Sequence, residues 1–463
     1  MTEMFQASKP IVPVRGVHLD LKGVPPTFER LMGLLKLFVR ARYNAILVEW
    51  EDMFPWTVDE RFRSETAYTP GQVRQFAAAA KQAGLEIIPL VQCLGHMETP
   101  LSVRGYEKLR ERQHLADCLN PLADGARELV VAMVEDVLKL LPDVKRFHLG
   151  GDEAWSFGQH PDTKAYIETH GKGALYLHHV EPILDRLNAR GVRPILWSDM
   201  MHDWPTEPLK AIGQKADLCP WGYTGHPDSF TYHSNSKYIA RFHEHGVPLW
   251  GAACYKGAGP HDGDVPDLKE QQINALGWAE VSQRYGLKGV FATGWSRYNT
   301  SLVQCYPTDA SLDAIVLVAA CLYDGKAPEQ PAEACQAVLK EVGELERFSA
   351  CKATMEKLTD VRNCAWREIK SLREQIVTET EDPRRRHSGQ CMSMLTRLHH
   401  HLDKGGVQAI AMTRQAFAGL IDELWIERYL NERLAPLFGQ MAELDQQVKL
   451  LEPGAYAAFL AAK

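Results

Sequence analysis

Two adjacent carboxylic acids, Asp152 and Glu153, close an apolar run that reads Arg146-Phe-His-Leu-Gly-Gly-Asp-Glu153. Neighbours on a regular strand point to opposite faces, so adjacent acids share one pocket only where the strand has ended or bulged. Gly150 and Gly151 permit that break, because glycine reaches backbone angles that side chains disfavour. Acids this close do not ionise independently: one charge raises the pKa of the other, which keeps a proton donor protonated near neutral pH. A proton donor beside an anion suits glycoside hydrolysis. The simpler reading of the same pair is a helix start, with Asp152 as cap and Glu153 favouring the helix dipole.

Flat aromatic side chains weigh toward the sugar chemistry. Trp197, Trp221, Trp250 and Trp295 lie in or just after apolar runs, and their faces suit the C–H surface of a pyranose. Trp250 starts its run and reads as core, whereas Trp197, Trp221 and Trp295 end theirs and read as pocket walls; taken singly, each could be core.

The elements that must position these residues alternate. Strands are predicted at Val14–Asp20, Ala45–Glu51, Glu86–Gln92, Arg146–Gly151, Pro194–Met200, Ala216–Trp221, Pro248–Cys254 and Gly289–Trp295. Helical spacing fills the gaps, as over Thr27–Arg42, Gly71–Ala83, Gly125–Leu141, Ala174–Arg190 and Leu268–Arg284. Eight such units favour a closed α/β structure, a (β/α)8 TIM barrel, over an open sheet, and no Gly-x-Gly-x-x-Gly follows the first strand to mark a dinucleotide site. Every strand of a barrel ends on one face, so the polar groups after each strand converge there.

Past Asp324-Gly325 the composition shifts. Residues 327–331 read as a linker, and the remainder carries helix spacing punctuated by Gly389 and Gly405-Gly406. The division expected is a catalytic barrel over 1–325 and a C-terminal α-helical domain over 326–463, with three or four helices packed on the barrel or on a second copy in a homodimer. Consecutive His399, His400 and His401 spread over about 200° of helix surface and cannot share one metal, so a solvated or capping role is expected.

The 463 residues carry 52 Lys plus Arg against 59 Asp plus Glu, a net charge of −7, which gives no general affinity for nucleic acid or an anionic membrane. No apolar run marks a secretion signal or a membrane span, so a cytoplasmic location is expected. Ten cysteines without a Cys-x-x-Cys pair suit reduced thiols. Neither a metal nor another cofactor is expected.

His148-Leu-Gly-Gly-Asp-Glu153 resembles the motif of the family 20 β-N-acetylhexosaminidases, and further matches follow in order: Arg15-Gly16 with Asp20, Gly95-His96, Trp197, Trp221 and Trp295. Glu51-Asp52-Met53-Phe54-Pro55, Tyr255-Lys256-Gly257-Ala258 and Gly294-Trp295-Ser296-Arg297-Tyr298 look most like the hexosaminidase D branch. The resemblance implies exo-acting hydrolysis of a terminal β-linked GlcNAc or GalNAc from a glycan or glycoconjugate, with retention, in which the substrate's 2-acetamido oxygen is the nucleophile. It assigns Glu153 as the acid and base, and Asp152 as the partner of the acetamido N–H. Arg15 is implied at the sugar 3- and 4-hydroxyls, with a core ion pair to Asp20 as the alternative. His96 and His148 are implied behind the acids, or else as buried histidines. Trp197, Trp221 and Trp295 wall the N-acetyl group, and Tyr223 or Tyr255 holds its oxygen. Many members carry a glutamate where this chain has Arg297, so Glu49, Glu51 or Asp52 is expected to supply the missing acceptor.

Two other readings compete. A metal-dependent amidohydrolase needs His-x-His on strand one, where this chain has His18-Leu19-Asp20. A carbohydrate-binding barrel without turnover has little reason to keep both acids together.

Overall fold

The apolar runs form eight parallel strands: β1 (Val14–Asp20), β2 (Ala45–Glu49), β3 (Glu86–Leu90), β4 (Arg146–His148), β5 (Arg193–Trp197), β6 (Asp217–Cys219), β7 (Gly251–Lys256) and β8 (Gly289–Gly294). This computed structural model describes residues 4–229, 236–257, 263–297, 305–385 and 389–462. β1 to β6 pair in sequence order, β1 also pairs with β8, and β8 with β7. The isolated parallel bridges Leu218 to Leu249 and Trp221 to Ala252 join the two ends of this sheet. The chain is therefore the eight-stranded barrel that its periodicity implies.

A helix follows each strand in turn: Phe28–Arg40, Pro70–Gln82, Ala126–Leu140, Lys172–Asn188, Thr206–Lys215, Ser236–Glu244, Leu268–Tyr285 and Leu312–Asp324. Local chemistry sets their starts. Thr27 accepts from the Arg30 amide, Thr69 and Gln72 form a capping box ahead of Pro70, and Asp267 accepts from Lys269 and Glu270. Inside the barrel, Leu47, Ile88, Leu90, Ile195, Trp197, Trp250 and Phe291 share one apolar core. Trp250 stacks on Phe291 at 4.8 Å between ring centroids and donates its indole N–H to Asp217 (3.0 Å), the core role expected of it.

Most strands end within two residues of the predicted limit, but β4 stops at His148, short of Gly151, and β5 at Trp197, short of Met200. Gly150 and Gly151 have φ of 59° and 83°, outside the β region, and so terminate the ladder.

Two compact units emerge: Met1–Ala258 with Pro266–Leu345, and Gly259–Val265 with Glu346–Lys463. The shift in composition near residue 325 thus precedes the structural division. Helix Pro331–Val342 belongs to the first unit, burying Cys335, Val338 and Leu339, and Glu344 beyond it takes a two-pronged bond from Arg30 at 2.9 and 3.0 Å. The second unit contains the helices Leu345–Glu381, Gln390–His399, Val407–Phe417, Glu423–Leu451 and Pro453–Ala462. Gly405 and Gly406 do not break the chain here, since a π-helical turn over His400–Gly406 joins two of these helices. His399 is not solvated as expected. It is buried beside Leu398 and Leu402, with its ring nitrogens 2.9 Å from Asp403 and 3.1 Å from Asp445, while His400 is exposed. Among the described residues, no helix is long and apolar enough to cross a membrane.

The second unit is organised around one buried carboxylate. Asp264 accepts from Tyr429 Oη (2.5 Å), Arg362 Nη1 (2.7 Å), Arg433 Nε (2.9 Å) and Thr359 Oγ1 (3.1 Å). Removing it would strip two buried guanidinium groups of their shared counter-ion. Asp264→Ala should therefore destabilise this unit by about 3–5 kcal/mol, read as a lowered urea midpoint; an unchanged midpoint would refute that account.

Candidate active site

The fourth strand breaks in a way that places both acids at the C-terminal mouth of the barrel. The Gly150 amide donates to His148 Nδ1 (3.0 Å) and the Gly151 amide to Gln92 Oε1 (3.3 Å). Burial pushes His148 down to about 3, so its imidazole is a neutral acceptor here. A Cβ on Gly150 would run into the Gln92 amide, and one on Gly151 into the Tyr176 hydroxyl. Beyond the break, Glu153 sits at φ 43° with its amide bonded to Asp199 Oδ2 (3.0 Å). Asp152 is buried, and the Glu153 side chain is 23% exposed.

His96 joins the pair. Its Nε2 lies 3.5 Å from Asp152 Oδ2 and 3.4 Å from Glu153 Oε2. Burial disfavours its charge, yet Asp152 foremost and then Glu153 outweigh that and raise its pKa well above the usual histidine value. Gly95 allows the approach, because a Cβ there would collide with the Asp152 carbonyl. Among the described residues, five non-glycines have positive φ, and three of them are Glu51, His96 and Glu153. Backbone strain concentrated this way points to function. His96, Asp152 and Glu153 also offer three ligand atoms within 4.8 Å of one another, a set able to hold a metal ion.

A buried charge network floors the same mouth. Lys22 Nζ lies 3.1 Å from Asp20 Oδ1 and 2.8 Å from Glu49 Oε1, and His18 Nε2 lies 3.3 Å from Glu49 Oε2. Burial opposes the Lys22 charge, but Asp20 and Glu49 raise its pKa; burial likewise opposes the Glu49 charge, which Lys22 restores. Gln92 Nε2 donates to Glu49 Oε1 (3.2 Å), so the amide that holds the β4 break also ties it to this network. Asp20 Oδ2 accepts from the amides of Ser296 (2.7 Å) and Arg297 (3.3 Å), which places Arg297 at the mouth. Glu51 and Asp52 follow β2. Burial pushes Glu51 up to about 8 although Thr99 Oγ1 donates to it, and pushes Asp52 up to about 6 against the pull of Arg297.

Aromatic rings form a continuous wall beside the acids. Trp221 stacks on Tyr223 (5.1 Å), Tyr223 meets Trp295 (5.8 Å), and Trp295 meets Trp197 (6.3 Å). Trp197 is fully buried against His148 and belongs to the floor of this wall more than to its face. Trp221 Nε1 donates to Asp199 Oδ1 (3.2 Å), the other oxygen of the carboxylate that holds the Glu153 amide. Burial, with Asp152 close by, raises Asp199 to about 7.

Two expected contacts fall away. Arg15 is one of the first residues of β1, at the opposite end of the barrel from Asp20; its guanidinium donates to the Arg42 (2.9 Å), Val12 (2.7 Å) and Pro13 (3.0 Å) carbonyls. Five steps of strand separate it from Asp20, about 16 Å, so it pairs neither with that acid nor with anything at the mouth. Lys22, past the other end of the same strand, reaches the mouth instead. Tyr255 is fully buried with its hydroxyl bonded to the His18 carbonyl (3.0 Å), whereas Tyr223 makes no hydrogen bond through its hydroxyl among the described residues. Of the two tyrosines, only Tyr223 is available to a ligand. Ala258 and Tyr298, which complete two of the sequence motifs, lie outside the described residues. Lys22 and Gln92 were not singled out from sequence, and Asp199 only as one of the polar residues that follow the fifth strand, without a role; their places just past β1, β3 and β5 were the available signal. A separate cleft, lined by Leu85, Ile87, Leu141 and Val144, opens beside the start of β3, away from all of these groups.

Apolar ring faces set against paired carboxyl groups at the mouth of a parallel barrel define a carbohydrate-active class of protein. Residues 49–223 match the Glycosyl hydrolase family 20 catalytic domain. The chain is 34% identical to human hexosaminidase D over 320 residues, 67% of this chain and 65% of the human protein. It is 33% identical to hexosaminidase D of Bos taurus over 303 residues, 63% of this chain and 87% of that protein. It thus spans just under two thirds of the human relative. In fold it resembles a Flavobacterium johnsoniae chitobiase (TM-score 0.56, 13% identity, 95% of this chain and 75% of that one). It also resembles a Bacteroides fragilis β-N-acetylhexosaminidase (TM-score 0.54, 14% identity, 73% and 72%). The chain belongs to glycosyl hydrolase family 20, among the hexosaminidase D relatives.

Two measurements test this geometry. Under the function proposed below, Gly95→Ala should displace Asp152 and lower turnover of an aryl hexosaminide by about 10²-fold while the protein stays folded, the scale set by misplacement of about 1 Å; full turnover would show that the contact tolerates a methyl group. A carboxyl whose folded pKa is raised stabilises the fold while protonated, and that contribution fades as pH rises from the ordinary carboxylate range through the folded value. With Asp52 near 6, Asp199 near 7 and Glu51 near 8, these three carboxyls should contribute a fall in unfolding free energy between pH 5 and pH 8.5. Asp199→Asn should make that fall shallower, and identical slopes in variant and parent would contradict the burial argument.

Proposed function

We propose that this chain is an exo-acting β-N-acetylhexosaminidase that removes terminal β-linked GlcNAc or GalNAc with retention, using the substrate's own 2-acetamido group. The observation that carries this is the convergence of Asp152, Glu153 and His96 within hydrogen-bonding range beside the wall of Trp221, Tyr223 and Trp295. In the proposed reaction, the acetamido oxygen attacks C1 as Glu153 donates its proton to the leaving oxygen. Asp152 accepts the acetamido N–H and stabilises the positive oxazolinium ring; Tyr223 donates to the acetamido oxygen. Glu153, now a carboxylate, takes a proton from water as that water opens the ring at C1. Two inversions at C1 leave its configuration retained. His96 keeps both acids oriented, and Lys22, Glu51, Asp52 and Arg297 face the outer hydroxyls in place of Arg15. Solved relatives support the aminosugar substrate: a Vibrio harveyi enzyme of this fold holds N-acetylglucosamine, and one from Streptomyces plicatus holds Thio-NAglucal.

The proposal extends to a cytoplasmic location, supported by ten free cysteines, nine of them buried. It also extends to a pairing of two copies through the C-terminal helices, supported by the exposure of Trp366, Val377 and Leu450.

Glu153→Gln separates the roles. General acid catalysis supplies about 10²–10⁴-fold, so kcat/KM should fall by that much for an alkyl hexosaminide and far less for an activated nitrophenyl one. Equal losses on both substrates would remove Glu153 from the acid role.

A further inference from the structure

We propose that Trp155 is the platform for the leaving group, the ring that lies beyond the bond Glu153 protonates; this rests on the function proposed above. Trp155 is 60% exposed, while Ala154 and Ser156 on either side are 4% and 2% exposed. Among the described residues, no other tryptophan of the barrel unit is so exposed. The proposal rests on this exposure and on closeness in the chain, since the ring follows the proposed proton donor by two residues. The acid must come within about 2.6–3.2 Å of the leaving oxygen. At about 3.8 Å per residue, Trp155 begins within roughly 8 Å of Glu153.

The turn that carries this indole is held from several sides. The Trp155 amide donates to the Glu153 carbonyl (2.7 Å), and Gln159 Nε2 donates to the Trp155 carbonyl (3.0 Å). Ser156 Oγ donates to Asp117 Oδ2 (2.8 Å). Buried Glu111 accepts from the amides of Gly158 (2.8 Å), Gln159 (2.8 Å) and His160 (3.0 Å) and from the Thr163 hydroxyl. Asp117 and Glu111 come from a two-stranded hairpin, Arg110–Arg112 with Leu115–Leu119. A side chain on so fixed a turn loses little freedom when something stacks on it. The ligand it suits is a flat or apolar-faced ring, such as a pyranose or an aryl aglycone, without regard to charge.

The test compares Trp155→Ala and Trp155→Phe with the parent on a β-linked GlcNAc disaccharide and on the methyl glycoside, with inhibition by free GlcNAc alongside. In Trp155→Ala, KM for the disaccharide should rise roughly tenfold, the scale of an aromatic contact. The methyl glycoside and the GlcNAc inhibition constant should stay put, and Trp155→Phe should recover most of the loss. An unchanged disaccharide KM, or an equal loss on both glycosides, overturns the inference alone. A parent enzyme inert on both overturns the proposed function and this inference with it.

Discussion

Everything at the mouth of the barrel depends on β4 ending at His148. Continued extension would send Asp152 and Glu153 to opposite faces; instead Gly150 and Gly151 turn the chain through positive φ, and Glu153 follows at 43°. The surroundings are cut to this turn. His148 and Gln92 each accept one of the glycine amides, and a methyl group at either glycine would strike a neighbour. Residues held at positive φ cost on the order of 1–3 kcal/mol each. With Glu51, His96 and Glu153 all strained, the cost is an appreciable share of the roughly 5–15 kcal/mol net stability of a folded domain. The fully buried strands and the apolar helix Leu312–Asp324 around them offset it.

Charge balance is the second constraint. Asp20, Glu49, Glu51, Asp52, Asp152, Glu153 and Asp199 crowd the mouth, while Lys22, His96, Lys256 and Arg297 are among the cations described there. Burial without full neutralisation moves some of these acids toward their protonated forms, and the structure shows which. Glu49, paired with Lys22, is driven down, while Glu51, Asp52 and Asp199 are driven up by burial. The mouth therefore combines firmly ionised groups with groups that exchange a proton near neutrality, as acid and base chemistry in one pocket requires.

Much of this was legible in the chain. β1 was located residue for residue, the barrel followed from eight alternating units, and the acid pair was found from two glycines placed where only a break explains them. What escaped depended on depth along a strand and on long-range partners. Arg15 and Lys22 flank the same strand, but Arg15 starts it and Lys22 lies past its end, so only Lys22 reaches the mouth. Tyr223 and Tyr255 both follow apolar runs; β7 runs on to Lys256 and draws Tyr255 into the core under the His18 carbonyl, while β6 stops at Cys219 and releases Tyr223. His399 looked solvated because its partners are four and forty-six residues away, and only one of those separations is visible as helix spacing.

Asp199 shows why such partners matter. One of its oxygens accepts the indole N–H of Trp221, and the other accepts the amide of Glu153. The aromatic wall and the turn that bears the second acid are thereby fastened to a single carboxylate, although their residues stem from different strands. A ring seated against Trp221 and an oxygen approaching Glu153 meet surfaces whose separation that carboxylate sets. Rotating Asp199 would loosen both at once. Precision of this kind comes from packing β5 between β4 and β6, so the barrel itself is what places the chemistry.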